Sequence, residues 1–136
     1  MSNKEQTLSI IKPDAVERKL SEKIKSIYST NNLKIIETKK LHVSKDEAAE
    51  FYKVHQSKSF YDQLCSYLSS GPIEVMILEG HNAVFKNREL MGATDPKNAK
   101  DGTIRKLYGI SIDKNSVHGS DSLENAKIEI NFFFKK

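Results

Sequence analysis

The densest group of polar residues around a histidine spans residues 115–121. Within it, His118 is followed by Gly119, which permits a tight backbone or the close approach of a ligand. A nucleophilic imidazole needs one ring nitrogen free and the other held by an acceptor that fixes the tautomer. Glu129 is a candidate for that acceptor, while Ser120 and Asp121 could orient the site or cap the next helix.

The alternative for His118 is a structural histidine, hydrogen-bonded within a strand and turn, and local features favour that interpretation. Glu129 taken alone would likewise be a solvated surface charge. The polar cluster by itself therefore leaves two roles open, nucleophile and structural histidine.

The basic side chains carry a second signal. Of the 22 basic residues only Arg18, Arg88 and Arg105 are arginines, and the planar guanidinium fork suits phosphate or carboxylate groups. Lys12 has the same strand parity as the apolar Leu8 and Ile10, so it should point to the buried side of a strand or its rim. A lysine that reaches past the sheet edge into water is an equally good interpretation.

The chain has no glycine-rich phosphate loop and no dinucleotide fingerprint, because its 6 glycines are never close enough together to form one. Side chains would therefore have to hold the phosphates of a phosphorylated ligand. The donors available for this outside regular elements or at their ends are Lys12, Arg88, Thr94, Arg105 and Asn115.

Length and composition set the frame for these residues. A chain of 136 residues and 15.4 kDa predicts one domain over residues 1–136. Its 38% hydrophobic and 29% charged residues exclude disordered and collagen-like classes. No apolar run approaches the roughly 20 residues of a membrane helix, and the first six residues are polar, unlike a signal peptide. With Cys65 as the only cysteine, we expect a soluble cytoplasmic protein without disulfides.

The formal net charge of +4 and the pI of about 9.1 favour an anionic partner. Charge alone does not separate a nucleic acid from a nucleotide, or either of them from a simple contribution to solubility.

Hydrophobic periodicity predicts the elements that must position the polar residues. Strands are expected over residues 7–12, 33–43, 73–79 and 116–121, and helices over 21–31, 44–55, 60–69, 82–91 and 122–133. Ser21 is expected to cap its helix, and Ser44 with Glu47 forms a capping box. Residues 92–115 are expected to form a long functional loop with one helical turn near 103–108.

The order of these elements predicts an α+β fold, a ferredoxin-like βαββαβ four-stranded antiparallel sheet covered by helices. The terminal helix should carry apolar residues on both faces, so a partner chain or another part of this chain should cover the second face. The first face comprises Leu123, Ala126, Ile130 and Phe134, and the second comprises Ile128 and Phe132.

Four strings occur in order along the chain: Ile-Lys-Pro-Asp-Ala at 11–15, Gly-Ala-Thr-Asp-Pro at 92–96, Gly-Thr-Ile-Arg at 102–105 and Asn-Ser-Val-His-Gly-Ser-Asp at 115–121. They resemble the motifs of nucleoside diphosphate kinases over nearly the whole chain, and the last string resembles the family signature. The resemblance implies an enzyme that transfers the terminal phosphate of a nucleoside triphosphate such as ATP to a nucleoside diphosphate. It also implies a phosphohistidine intermediate, ping-pong kinetics and Mg²⁺ held mainly by the nucleotide phosphates and water.

The resemblance implies a role for each matching residue. His118 resembles the phosphorylated nucleophile, with Glu129 holding its other ring nitrogen and Ser120 beside it. Phe60 resembles the aromatic residue on which the base stacks, which would give broad base specificity. Leu64 and Ile112 would line the same cleft, supported by Tyr52 and His55. The residues that resemble the phosphate-binding set are Lys12, Arg88, Thr94 and Arg105, and Lys12 with Asn115 also resembles the pair at the ribose hydroxyls.

The sequence departs from the family pattern at several positions. Lys58 and Ser59 stand where the family commonly has arginine and proline, and Lys114 where some members have arginine. The sequence ends soon after Phe134, without the longer tail of some relatives. The resemblance to the family implies a homo-oligomer, either a tetramer or a hexamer. The sequence does not distinguish these two assemblies.

Two other functions stay open as alternatives. A nucleic-acid-binding or regulatory module on the same fold would bind DNA or RNA in a salt-dependent way that survives His118→Ala, but a lysine-rich surface is usually only solvated, so nucleic acid is not the favoured partner. A catalytically silent, interaction-only member is disfavoured because candidates are present at positions 12, 88, 105, 115 and 118.

Overall fold

The computed structural model describes residues 4–53, 56–59, 61–111 and 114–134. Within these residues, four strands form one sheet in the order β2-β3-β1-β4, and every neighbouring pair is antiparallel. The strands are β1 (Lys4–Ile11), β2 (Lys34–Leu41), β3 (Ile73–His81) and β4 (Val117–Gly119). The predicted ferredoxin-like α+β fold is confirmed.

Helices cover both faces of this sheet. They are α1 (Pro13–Glu17), α2 (Ser21–Thr30), α3 (Lys45–Phe51), α4 (Tyr61–Leu68), α5 (Ala83–Met91), α6 (Ile104–Tyr108) and α7 (Leu123–Phe134). A short 3-10 helix, Pro96–Asn98, lies within the long loop between α5 and α6. Among the described residues, no helix is long and apolar enough to cross a membrane.

Side chains on the two faces of β1 pack into two separate cores, because side chains alternate along a strand. Leu8 and Ile10 point into the first core, which lies between the sheet and α3, α4 and α7. Ile11 points into the second core, together with the α2 residues Ile24 and Tyr28. The strand that leads to Lys12 is thus buried on both faces, which fixes its end firmly.

Helix boundaries follow local capping chemistry. Ser44 and Glu47 form the predicted capping box at the start of α3, with the Ser44 hydroxyl accepting from the Glu47 N–H at 3.0 Å. The expected cap at Ser21 is wrong: Leu20 is the N-cap of α2 and makes no side-chain cap hydrogen bond. Helix α3 ends at Phe51, earlier than expected. The helix α1, which opens with Pro13, was not predicted because its five residues are too few to show periodicity.

The terminal helix α7 differs in part from its predicted faces. Ala126 and Ile130 are buried as expected, but Leu123 is 43% exposed because it begins the helix at the periphery, and Phe133 fills the first core. Phe132 is partly buried against the same core, so this chain itself covers it, whereas Ile128 is 62% exposed.

At Gly119, β4 lies so close to α5 that there is no room for a larger side chain. A Cβ atom at this position would lie 2.3 Å from Asn87 Nδ2 and 2.5 Å from Met91 Sδ. Gly119 thus lets the strand that carries His118 lie directly against α5.

We predict that Gly119→Ala displaces β4 and destabilises the fold by about 1–3 kcal/mol, the usual cost of overpacking. Denaturant unfolding measures this change. Gly71→Ala is the matched control, because its added Cβ meets only Pro13 Cβ at an ordinary 3.5 Å. Equal stability of Gly119→Ala and Gly71→Ala would refute the close-approach argument.

Candidate active site

His118 lies at the middle of β4, opposite Ile10 of β1 in the sheet register. Its Nε2 atom is 3.1 Å from Glu129 Oε1 on α7, and its side chain is 22% exposed. Phe51 packs edge-on against the imidazole at a centroid distance of 5.2 Å, and Tyr52 does so at 6.5 Å. The ring is therefore held in one orientation by strand, aromatic walls and carboxylate together.

The Glu129 carboxylate also holds Ser120. Ser120 Oγ donates to Glu129 Oε1 at 2.8 Å, so the same oxygen receives both contacts. A carboxylate at Nε2 favours the tautomer with the proton on Nε2, which leaves a lone pair on Nδ1. Within the described part of the chain, Nδ1 of His118 has no hydrogen-bond partner. The geometry suits a nucleophile whose reacting atom is Nδ1.

Lys12 lies just after β1, at the N-cap of α1, and is only 5% exposed. Its Nζ donates to Asn115 Oδ1 at 2.8 Å, and Asn115 Nδ2 donates to the Thr94 carbonyl at 3.1 Å. The backbone repeats this link, since the Lys12 N–H donates to the Ser116 carbonyl at 2.8 Å. Three segments that are distant in sequence thus meet around one buried ammonium group.

Arg105 lies on α6 and is also buried, at 8% exposure. Its guanidinium donates to the Gly92 carbonyl at 3.1 Å and to the Val117 carbonyl at 2.9 Å, next to His118. Burial lowers the pKa of Arg105 to about 10, with a further lowering from the nearby charge of Arg88. The two guanidiniums are therefore close enough to sense each other, and an anion between them would relieve both desolvation and repulsion.

The remaining predicted site residues differ in burial. The side chains of Arg88 on α5 and Thr94 are exposed, Leu64 is half-buried against the first core and Tyr52 is fully buried there. Phe60, His55 and Ile112 lie outside the described residues, so their predicted roles stay predictions. Lys58, Ser59 and Lys114 are exposed.

Sequence reasoning missed Phe51, which contacts His118 directly. A signal for it existed, because Phe51 follows the buried Ala48 by three residues and so shares its helix face. Arg18 was singled out for an anion, and the structure places it on a carboxylate, Asp14, at 3.2 Å.

Among the described residues, no group of three or more His, Cys, Asp or Glu side chains is placed to hold a metal ion. The buried and half-buried polar groups of the site are mainly cationic or amide donors, which bind oxyanions rather than metal ions.

A nucleophilic imidazole needs an electrophile, and the donors that surround it suit one class of protein best, the enzymes that transfer phosphoryl groups. Such enzymes work chiefly by holding the phosphate oxygens and neutralising their charge, which Lys12 and Arg105 can do from fixed positions.

Comparison with known proteins identifies the family. The sequence profile of nucleoside diphosphate kinase matches residues 5–136. A nucleoside diphosphate kinase of Nitratiruptor sp. is 59% identical over 130 residues, covering 96% of this chain and 95% of the relative. One of Campylobacter fetus is 58% identical over 132 residues, covering 97% and 96%. The chain belongs to the nucleoside diphosphate kinase family.

Solved structures agree with this assignment. The crystal structure of the Aquifex aeolicus nucleoside diphosphate kinase superposes with a TM-score of 0.95 at 37% identity, covering 96% of this chain and 95% of that one. The enzyme from Encephalitozoon cuniculi gives a TM-score of 0.94 at 34% identity, covering 97% and 90%. The similarity to nucleoside diphosphate kinases therefore covers nearly the whole fold. The chain is an enzyme of the phosphotransferase class.

We predict that Glu129→Gln slows phosphorylation of His118 while leaving nucleotide affinity nearly unchanged. The neutral amide no longer stabilises a positive imidazole, and loss of a carboxylate that orients a functional histidine costs on the order of 10- to 100-fold. Rapid-quench phosphorylation by ATP and equilibrium binding of ADP measure the two quantities separately. Glu124→Gln, an exposed change on the same helix, is the matched control, and a Glu129→Gln rate equal to that of Glu124→Gln would remove Glu129 from the mechanism.

Proposed function

We propose that this nucleoside diphosphate kinase transfers the γ-phosphate of ATP or another nucleoside triphosphate to a nucleoside diphosphate through a phosphohistidine on His118. The observation that carries the proposal is the contact between His118 Nε2 and Glu129 Oε1, at 3.1 Å, which leaves Nδ1 as the nucleophilic atom. Because one site serves donor and acceptor in turn, the kinetics are ping-pong.

In the first half-reaction Nδ1 of His118 attacks the γ-phosphorus in line with the bond to the β-phosphate. The N–P bond forms, the P–O bond breaks, and its electron pair leaves with the nucleoside diphosphate. The proton on Nε2 stays in its hydrogen bond to Glu129, which stabilises the positive charge that develops on the ring. In the second half-reaction a terminal oxygen of another nucleoside diphosphate attacks the phosphohistidine and restores the imidazole.

The phosphates are held by side chains. We assign this role to the set named from the sequence, which comprises Lys12, Arg88, Thr94, Arg105 and Asn115. Support comes from the Lys12–Asn115 contact of 2.8 Å and from the buried Arg105, whose contacts hold it beside β4. Lys12 and Asn115 are also assigned to the ribose hydroxyls. Ser120 is assigned to support Glu129 through its 2.8 Å hydrogen bond.

Mg²⁺ fits this site as a companion of the nucleotide. The cationic and amide donors described above leave the metal to the phosphate oxygens and water, consistent with the ligands that Mg²⁺ prefers. When bound, it would neutralise part of the phosphate charge. The protein's own residues orient the phosphates against Nδ1 of His118.

Several further features belong to the same proposal. Phe60 stacks on the base, and because stacking uses the aromatic face and not the hydrogen-bonding edge, all common bases are accepted. The enzyme works as a homo-oligomer, tetramer or hexamer. The buried, free Cys65 supports a reducing compartment, the cytoplasm.

The test of this proposal is to incubate the protein with γ-labelled ATP and Mg²⁺ without an acceptor. We expect an acid-labile, base-stable phosphoprotein that forms in the wild type, is absent in His118→Ala, and is discharged by either GDP or CDP. A folded wild type that takes no label would contradict the phosphohistidine and would favour one of the two binding functions named as alternatives above. Label that survives His118→Ala would place the nucleophile elsewhere.

We predict that Phe60→Ala raises KM for nucleotides by removing stacking of about 1–3 kcal/mol, with little change in kcat. Steady-state kinetics with ATP and dTDP measure both constants. Phe85→Ala is the control, because Phe85 is 64% exposed on α5 and has no part in the proposal. Equal KM values in Phe60→Ala and Phe85→Ala would count against the stacking role.

A further inference from the structure

Asp14 is a buried carboxylate that the reaction described above does not use. It lies in α1, two residues after Lys12, and its side chain is only 4% exposed. A buried carboxylate is costly unless several donors satisfy it. Two of its donors, Tyr67 and Ser116, come from distant parts of the chain, and the third, Arg18, lies four residues after Asp14.

The first donor is Tyr67 on α4. The Tyr67 hydroxyl donates to Asp14 Oδ1 and accepts from the Asp14 backbone N–H at 2.9 Å, so residue and hydroxyl are joined by two hydrogen bonds. Burial and the Asp14 carboxylate raise the pKa of Tyr67, which keeps the phenol protonated and able to donate. This contact fastens α4 to the turn that follows Lys12.

The second carboxylate oxygen of Asp14 contacts Arg18 and Ser116. Asp14 Oδ2 accepts from Arg18 at 3.2 Å, and the same guanidinium nitrogen reaches the carbonyl of Tyr108, the last residue of α6, at 2.5 Å. Ser116 Oγ lies 3.5 Å from Asp14 Oδ2, a long contact. Ser116 is the residue after Asn115 and accepts the Lys12 N–H. It has a positive φ of 77°, a conformation that its surroundings must hold.

We propose that Asp14 is a positioning residue for the nucleotide site, whose carboxylate joins α4 to the segments that carry Lys12, Arg105 and Asn115. One oxygen fixes α4 through Tyr67, and the other fixes the end of the Arg105 helix through Arg18 and the neighbour of Asn115 through Ser116. Asp14 thereby sets the distance between helix α4 and the phosphate-binding side chains. This inference rests on the proposed function of those side chains.

A second ion pair around a buried carboxylate provides the comparison that separates positioning from ordinary stability. Lys25 on α2 lies 2.5 Å from Glu74 on β3, whose side chain is 2% exposed. Glu74 is opposite Ile11 in the sheet register and so faces the second core, whereas His118 is opposite Ile10 and faces the first. Loss of the Glu74 charge should therefore weaken the fold without reaching the nucleotide site.

The experiment compares Tyr67→Phe, Asp14→Asn and the control Glu74→Gln with the wild type. It measures KM and kcat with ATP and dTDP, active sites counted by phosphohistidine stoichiometry, and the Tm of each variant. A parallel assay follows phosphorylation of His118 by phosphoramidate, a small donor without a nucleoside. In that step the N–P bond to Nδ1 forms while the P–N bond of the donor breaks and ammonia leaves.

We expect Tyr67→Phe and Asp14→Asn to raise KM for both nucleotides by about three- to tenfold, the change that follows from losing one hydrogen bond across a binding site. Their rates with phosphoramidate should change less than kcat/KM for the nucleotides, because this donor has no nucleoside to span the distance between α4 and the phosphate-binding side chains. Glu74→Gln should lower Tm while leaving KM parental. Tyr67→Phe keeps the test valid if Asp14→Asn does not fold, because it removes only a hydroxyl.

Parental KM values in Tyr67→Phe and in any folded Asp14→Asn, with only a fall in Tm like that of Glu74→Gln, would overturn the inference. A wild type that takes no phosphate from ATP would contradict the phosphohistidine instead. The dissociation constant of ADP with Mg²⁺, measured on the same variants, would then decide the role of Asp14. A three- to tenfold weakening supports positioning, and an unchanged constant overturns it.

Discussion

The contact between the Glu129 carboxylate and Nε2 of His118 is the constraint on which the site depends. It spans 3.1 Å between β4 and α7, and α7 packs on the first core. The helix brings Glu129 to the ring because Ile130 and Phe133, its neighbours on α7, are buried in that core. On the strand side, Gly119 lets β4 pack closely against α5. The packing of α7 and β4 in the fold therefore also positions Glu129 and His118.

Burial of positive charge is the second constraint. Lys12 and Arg105 are almost fully buried. Lys12 donates to the side-chain oxygen of Asn115, and Arg105 donates to the carbonyl oxygens of Gly92 and Val117. These neutral oxygens orient both cations, whose charge would stabilise a bound anion. Oriented, desolvated cations of this kind are the part that a protein can supply to phosphoryl transfer without reorganising during the reaction.

Much of the fold could be predicted from the sequence, and the reasons are local. The alternation around Leu8 and Ile10 and the capping box at Ser44 are read directly from neighbouring residues, and the structure confirms both elements. The helix α1 escaped prediction because its five residues are held by Pro13 and by tertiary contacts. The exposure of Leu123 depends on where α7 meets the core, which no local pattern encodes.

The site divides in the same way. Motifs singled out His118, Lys12 and Arg105, and the structure brings them to the same end of the sheet. Residue type alone left Glu129 ambiguous between a surface charge and a partner of His118, because the pairing joins residues that only the tertiary fold brings together. Asp14 and Tyr67 lie 53 positions apart in the sequence, so their contact likewise required the three-dimensional structure.

The most direct test of this mechanism is to locate the phosphoryl group on the imidazole. The protein, labelled with ¹⁵N in its histidines, is phosphorylated with ATP and Mg²⁺, and the ¹⁵N and ³¹P resonances assign the nitrogen that carries phosphorus. Because Glu129 holds Nε2 of His118, we expect phosphorus on Nδ1. Phosphorus on Nε2 would contradict it, since the Glu129 contact would then have to break before the reaction could begin.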